Sequence, residues 1–411
     1  MAATRSDLLV VGASLAGLRA VEAARREGFG GSITLIGDEP HLPYDRPPLS
    51  KQYLKADGSA DFFRSEHELR VELSIDLRLS TRATRLDPIT HEVHTADGDV
   101  LGYGRLLVAT GASPRSIPQL GGRAGAYTLR TVDDAARLRA AIIPDRNVVI
   151  IGAGFIGSEI ASSAREKGAR VTIVEAAPIP LVRAVGDEVG RALAGIHGRH
   201  GTRLLCGTSV DEVIGGDRVT DLRLSNGETV LADVVVVGIG AAPATEWLRD
   251  SGLALHPVDG GVVCDEYLRS SVADVYAAGD VTHWPNGVMD LTMRLENWTN
   301  AADQGDRAAI NALFPHRAAP FVTVPYFWSD WYGNRIQFVG TAQADEVVFA
   351  RGGKDESTFV ALYRVGNRLA GAATVNEPHM TMKLRRLIAS RGSWESAHEL
   401  VRAVRAPAGQ R

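Results

Sequence analysis

Cysteine is almost missing from this chain of 411 residues: only Cys206 and Cys264 are present, far apart and in no CxxC or other ligand spacing. A disulfide framework, a protein-ligated iron–sulfur cluster and a structural zinc site are therefore not expected. Long apolar runs are missing too. Val148–Ile156 and Val234–Ala244 stop well short of the roughly 20 residues that a membrane span needs, so no membrane partner is expected. Strong charge of one sign is also absent, and a formal net charge of -4 argues against a general nucleic-acid binder. Met1–Val11 has no basic segment leading into an apolar core and a small-residue cleavage site, so a reduced, cytoplasmic location is the default expectation. What is present, 45% apolar and 23% charged residues, suits a globular protein of two or three domains with several cores.

One pattern occurs twice. Asp7–Val11 reads as a short buried strand, Gly12 to Gly17 (GASLAG) follows, then a helical run Leu18–Arg26, a strand Ser32–Ile36 and the acidic pair Asp38 and Glu39. The second copy runs from strand Asn147–Ile151 through Gly152 to Gly157 (GAGFIG), helix Ser158–Glu166 and strand Arg170–Val174 to Glu175. Strand, glycine turn, helix, strand and acidic residue form a crossover unit that holds a dinucleotide. The first glycine permits the tight turn, the second lets backbone approach a pyrophosphate, and the third lets helix and strand pack closely. The terminal carboxylate accepts hydrogen bonds from ribose hydroxyls. Copy one carries Ser14 in place of the second glycine, which keeps the turn but narrows the approach. Leu106–Pro114, Val234–Pro243 and Val275–Asp280 read as further strands ending in turns. The expected fold class is α/β, with two Rossmann-like dinucleotide-binding domains and a C-terminal α/β domain.

With these motifs in this order, the chain resembles the two-dinucleotide-fold flavoprotein reductases, which are glutathione-reductase-like and carry ATG and GD motifs around an inserted NAD fold. Within them, His41 to Lys51 (HLPYDRPPLSK) and Pro325 to Asp330 (PYFWSD) resemble the oxygenase-coupled ferredoxin reductases, the group of putidaredoxin reductase and the reductase components of ring-hydroxylating dioxygenases. The first signature is shared with apoptosis-inducing factor. The resemblance spans Leu8 to about Arg391 and implies the cofactors FAD and NADH. Gly12, Ser14, Leu15, Ala16 and Gly17 would then hold the FAD pyrophosphate, and Asp38 or Glu39 its ribose. Arg46, Ala83, Ala109, Thr110, Gly111, Arg130, Gly279, Asp280 and Trp298 would line FAD, with Lys51 near the reactive flavin edge. Gly152, Gly154, Phe155, Ile156 and Gly157 would hold NAD, with Glu175 on its ribose and Gly240 near the nicotinamide half. Glu159 would be a carboxylate between Lys51 and the nicotinamide, which makes Lys51 and Glu159 the catalytic candidates. Trp328 would stand between flavin and partner as an electron-transfer residue.

Glu175 decides the nicotinamide cofactor. Its carboxylate suits two free hydroxyls and repels a 2′-phosphate, by about 4 kcal/mol at roughly 4 Å and an effective dielectric near 20. NADPH sites place arginine there instead, and Ala176 and Ala177 follow here. Relatives that reduce disulfides carry a CxxxxC after the first glycine turn, or a cysteine after the Pro-rich segment. Leu18–Phe29 has none, Ser50 and Lys51 fill the later place, and Cys206 and Cys264 read as small buried hydrophobes. The expected reaction passes electrons from NADH through FAD, one at a time, to a [2Fe–2S] ferredoxin that serves an oxygenase. Residues 318–411 hold 12 Lys+Arg against 8 Asp+Glu, a balance of +4 that leaves -8 on residues 1–317. That excess suits an acidic ferredoxin, with Arg307, Arg335, Lys383, Arg385 and Arg386 as docking candidates. The alternatives are another acceptor (rubredoxin, a quinone, or oxygen and dyes) or an NADH-sensing interaction protein like apoptosis-inducing factor. The expected domains are FAD binding over 1–114 and 244–320, NAD binding over 115–243, and a C-terminal reductase domain over 321–411. There, Val322–Trp328, Ile336–Thr341, Ser357–Arg364 and Arg368–Ala373 read as strands and Thr381–Ser390 as a helix.

Overall fold

Runs of valine, leucine and isoleucine that end in glycine build two parallel sheets, one in each of two units. The computed structural model of the protein describes residues 4–55 and 59–403. One unit comprises Met1–Asp45, Asp61–Ser113 and Ala241–Thr323, the other Arg46–Ala60, Pro114–Gly240 and Val324–Arg411. The fold is α/β, as expected.

In the first unit the central strand Thr4–Val11 lies parallel between Ile33–Ile36 and Val100–Val108. Ile75–Arg78 extends one side, Val275–Ala277 pairs with Val100–Val108, and an antiparallel pair Ala83–Asp87 and Glu92–Thr95 completes the sheet. Leu8, Leu9 and Val10 are fully buried, as a strand covered on both faces requires. The covering helices are Leu15–Arg26 and Trp298–Leu313, whose close approach depends on Gly305: a Cβ there would lie 2.2 Å from the Ala16 carbonyl oxygen.

In the second unit Arg203–Cys206, Arg170–Glu175, Asn147–Ile151, Val234–Val237 and Ala126–Tyr127 form a parallel sheet in that order. A second sheet, antiparallel, has the order Tyr326–Trp331, Asn334–Gly340, Arg368–Val375, Phe359–Val365 and Glu346–Arg351. Helix Val182–Arg199 packs Val185, Val189, Leu193 and Ile196 against Phe338, Phe359, Tyr363 and Val375 of that sheet.

Several local differences from the sequence reading have physical reasons. Both glycine-turn helices begin earlier than read, at Leu15 and Phe155, because the third glycine of each motif already lies in the first helical turn. The strand read from Val322 begins at Tyr326, after Pro325, whose missing N–H cannot serve a sheet ladder. Strand Glu346–Arg351 was not foreseen. It lies at a sheet edge, exposed or half-buried along its length and broken by a bulge, so it shows no apolar alternation.

At the end of helix Val182–Arg199, His197 is buried, stacks on Trp331 with ring centroids 5.2 Å apart, and meets the Tyr332 hydroxyl through Nδ1 at 3.1 Å. Burial, with His200 nearby, pulls its pKa down to about 4 from 6.5. The folded chain thus refuses a proton that the unfolded chain accepts. This contribution to stability is complete above about pH 6.5 and declines as the pH falls toward 4, by at most about 1.4 kcal/mol per unit. We expect the urea midpoint of His197→Phe to fall less steeply than the wild type's across that window. Equal slopes would refute the assignment.

Candidate functional site

The first glycine turn is shaped by backbone crowding. Gly12 has φ +121°, and a Cβ there would stand 2.1 Å from the Ala109 carbonyl oxygen. A Cβ on Gly17 would stand 2.0 Å from the Gly12 carbonyl oxygen. Ser14 has φ -119° and ψ -160°, extended backbone that any residue adopts, which explains why serine can replace glycine there. Leu15 and Ala16 are buried in the first helical turn, so their backbone N–H groups are what they can offer a phosphate.

The other FAD candidates of the first unit gather near this turn in part. Ala109 donates its N–H to the Val11 carbonyl, and the Thr110 hydroxyl and Gly111 carbonyl bind Ala244. Gly279 has φ +83° and sits where a Cβ would reach Ala16 Cβ at 3.2 Å; its N–H donates to Gln304 Oε1 at 2.8 Å. The next residue, Asp280, is half-buried, and its carbonyl accepts from Arg294 at 2.8 Å. Trp298 donates its indole N–H to Asp45 at 2.8 Å. Ala83 opens an edge strand and follows Arg82, whose guanidinium binds Asp38 in a two-point ion pair at 2.9 and 2.7 Å on the exposed surface. Glu39 is half-buried and accepts from the Tyr44 hydroxyl at 2.5 Å. Both acidic residues thus already have a protein partner, Asp38 in Arg82 and Glu39 in Tyr44. Asp45, Gln304 and Arg294 were not foreseen, since each acts from a distant part of the chain.

Arg46 and Arg130 belong to the second unit, where the Arg46 guanidinium donates to the Arg130 carbonyl at 2.7 Å. The second glycine turn repeats the geometry of the first. Gly152 has φ +104°, with a Cβ position 2.4 Å from the Gly238 carbonyl oxygen, and a Cβ on Gly157 would stand 2.3 Å from the Gly152 carbonyl oxygen. Around Gly154, by contrast, no atom of the described residues other than its chain neighbours and its own helix backbone lies within 4 Å of the Cβ position. That open face, beside the exposed Ile156 and at a helix N-terminus, is the space a pyrophosphate needs. Phe155 packs inward on Phe327, with centroids 4.6 Å apart. Glu175 ends its strand with Oε2 accepting from Ala153 N at 2.7 Å and Oε1 from Ala177 N at 2.8 Å, so the carboxylate is held beside the turn. Gly240 has φ +98°, and its carbonyl accepts from Arg115 N at 2.9 Å.

Lys51 and Glu159, 108 positions apart in the chain, come together in this unit. Lys51 Nζ lies 2.8 Å from Glu159 Oε1 and also donates to the Pro47 carbonyl at 3.2 Å. Glu159 is 4% exposed. Its two oxygens also accept from the Ser50 and Ser329 hydroxyls, and Ser329 Oγ in turn accepts from Trp331 Nε1 at 2.7 Å. A charge this deep needs such partners, because an unpaired buried carboxylate is costly. The serines and Trp331 were missed as site residues; PYFWSD was read as a family mark, not as a source of hydroxyls. Trp328 is half-buried, stacked on Tyr326 at 5.7 Å, with Arg335 5.3 Å above its ring.

Of the docking candidates, Arg335 pairs with Asp330 at 2.9 Å, and Arg385 donates to the Val324 carbonyl at 3.1 Å. Lys383 and Arg386 are exposed on helix Pro378–Ala389. Arg307 lies in the other unit, half-buried on helix Trp298–Leu313.

Another cluster was not foreseen. Donor atoms of His256, Asp259 and His283, in the first unit, lie within 4.8 Å of one another. The two rings stack at 4.1 Å and 11°, and Arg294 Nε sits 2.7 Å from Asp259. Parallel ring planes cannot both contain one ion, and a guanidinium already neutralises the carboxylate, so the cluster reads as an ion-pair network. Burial opposes the Asp259 charge, but the Gly261 N–H, Arg294 and His283 outweigh it and hold its carboxyl well below the usual range.

Residues 6–305 match the family model described as pyridine nucleotide-disulphide oxidoreductase, and residues 326–402 match the reductase C-terminal domain. Rhodocoxin reductase of Rhodococcus erythropolis is 35% identical over 391 residues, which cover 93% of this chain and 90% of that protein. The ferredoxin–NAD(+) reductase component of the p-cumate 2,3-dioxygenase system of Pseudomonas putida is 36% identical, over 94% of each chain. Among solved structures, the covalent putidaredoxin reductase–putidaredoxin complex superimposes with a TM-score of 0.90 at 29% identity, over 97% of this chain and 98% of that one.

Proposed function

The chain belongs to the pyridine nucleotide-disulphide oxidoreductase family and, within it, to the oxygenase-coupled ferredoxin reductases, and from that premise we propose that it passes electrons from NADH through FAD to a [2Fe–2S] ferredoxin. The observation that carries the reading is the ion pair between Lys51, after the Pro-rich turn, and the buried Glu159 on the helix that follows the second glycine turn. Helix Leu15–Arg26 contains no cysteine, which disfavours disulfide chemistry at that helix.

The residues fit both dinucleotides. Gly12, Gly17 and Gly279 leave room only for backbone at the first turn, which would hold the FAD pyrophosphate, with Asp38 or Glu39 on the ribose. Gly154 leaves the open face that NAD would fill, with Glu175 on its ribose. FAD, when bound, supplies the conversion of a two-electron donor into single electrons. Glu159 would orient the nicotinamide and Lys51, and Lys51 would lend positive charge where negative charge develops. No proton need be removed for hydride transfer, so no general base is required. Lys383 and Arg386 would attract an acidic ferredoxin, as putidaredoxin is bound to the reductase in the solved complex.

The test is anaerobic stopped-flow mixing of the flavin-loaded protein with NADH or NADPH, then with a [2Fe–2S] ferredoxin. Fast bleaching by NADH, slow bleaching by NADPH and reoxidation by ferredoxin are expected. Bleaching without reoxidation would remove ferredoxin as acceptor, and protein without flavin would remove the reading. Cofactor choice provides a separate prediction. Glu175→Ala removes the repulsion of a 2′-phosphate and the ribose acceptor together, and should cut the NADH over NADPH ratio of kcat/KM about 100-fold. An unchanged ratio would move the determinant elsewhere.

A further inference from the structure

Glu159 offers four acceptor directions, two on each carboxylate oxygen. Oε1 takes Lys51 Nζ and the Ser329 hydroxyl, and Oε2 takes the Ser50 hydroxyl. One acceptor direction, on Oε2, is left. The direction of the Ser329 hydrogen is not open to choice. An indole N–H can only donate, and Trp331 Nε1 donates to Ser329 Oγ at 2.7 Å. The hydroxyl has one hydrogen, which must then point to Glu159. Trp331 is itself clamped, 1% exposed and stacked on the neutral His197.

Resting on the NADH reading above, we infer that Ser329, oriented by Trp331, is a positioning residue that fixes the Glu159 carboxylate and keeps its last acceptor free for the carboxamide N–H2 of the nicotinamide. Ser50 does the same from the other oxygen. Three donors, Lys51, Ser329 and Ser50, surround the carboxylate and set its orientation. A carboxylate held this way can accept from the substrate and cannot donate to it. The site therefore favours a 3-carboxamide over a ring substituent that lacks a donor, because the remaining buried lone pair would then face nothing.

The experiment measures binding, not turnover. The flavin-loaded wild type, Ser329→Ala, Ser329→Thr and Trp331→Phe are titrated with NAD+ and with its 3-acetylpyridine analogue, which lacks the amide N–H2. The wild type should prefer NAD+ about tenfold or more. In Ser329→Ala that preference should shrink severalfold, with the loss falling on NAD+, and Ser329→Thr should restore it. Trp331→Phe, which keeps the ring and removes the indole N–H, should give an intermediate ratio. A purely structural defect would weaken both dinucleotides equally and leave the ratio unchanged. An unchanged ratio in both Ser329→Ala and Trp331→Phe would overturn the inference while leaving the NADH reading intact. A wild type that binds neither dinucleotide would overturn both.

Discussion

Glu159→Gln should slow reduction of the bound flavin by NADH about 100-fold, and should lower the stability of the protein by about 3 kcal/mol. The first figure is the usual cost of losing the orientation of a reacting pair, and the second that of breaking a buried ion pair on one side. The amide cannot receive all three donors that the carboxylate receives. Its NH2 group would face either the Ser50 hydroxyl or the Lys51 ammonium and Ser329, and Lys51, only 13% exposed at its side chain, would keep a charge with no counter-ion. Lys51→Met should be similarly slow, by losing the positive charge itself. The two residues act as one unit, so the double variant should be little slower than either single variant. Stopped-flow bleaching and thermal melting of the four proteins check this. Multiplicative rate losses would show that Lys51 and Glu159 work independently, against the geometry.

Gly12→Ala should yield protein that holds no FAD. The methyl group would stand 2.1 Å from a backbone oxygen and 2.9 Å from the Thr110 backbone nitrogen, in a backbone conformation (φ +121°) that alanine rarely adopts. Backbone cannot yield as a side chain can, so the turn and the Ala109–Gly111 strand end must separate. Gly154→Ala is the informative contrast. Its φ is -76° and, among the described residues, nothing beyond its chain neighbours and its own helix backbone lies within 4 Å of the new carbon, so the protein should melt as the wild type does and stay yellow. The methyl group would still occupy space meant for the pyrophosphate, and NADH affinity should fall at least tenfold. Absorbance at the flavin band, melting temperature and NADH titration separate the two cases. A yellow, normally melting Gly12→Ala would show that the first turn does not hold the flavin.

Much of this site was legible before any coordinates. The strand, glycine turn and helix of each copy lie within some 20 consecutive residues, so local rules govern them: which residue can take a positive φ, which can start a helix, which end of a strand carries a carboxylate. Gly12, Gly17, Gly152, Gly157 and Glu175 are legible for that reason. Helix starts were read late only because the glycines hid the first turn.

Other features depend on residues far apart in the chain, and sequence alone had no means to rank them. Asp38 and Glu39 are equivalent as letters. Arg82 binds one and Tyr44 the other, contacts made by residues that no local pattern names. Ser329 lies 170 positions from Glu159, and a serine in a strand has no local property that marks it as a ligand of a buried charge. Trp328 and Trp331 stand in one strand; the sheet turns Trp331 inward as a hydrogen-bond donor and leaves Trp328 half-buried under Arg335. The sequence by itself determined two glycine turns of dinucleotide-binding type, the family, and Lys51 and Glu159 as candidates, because each rests on short-range backbone sterics or on family motifs. Only the tertiary structure decided which polar groups surround Glu159, because a buried carboxylate is satisfied by whatever donors the packing delivers, and packing is a property of the whole sheet rather than of neighbours in the chain.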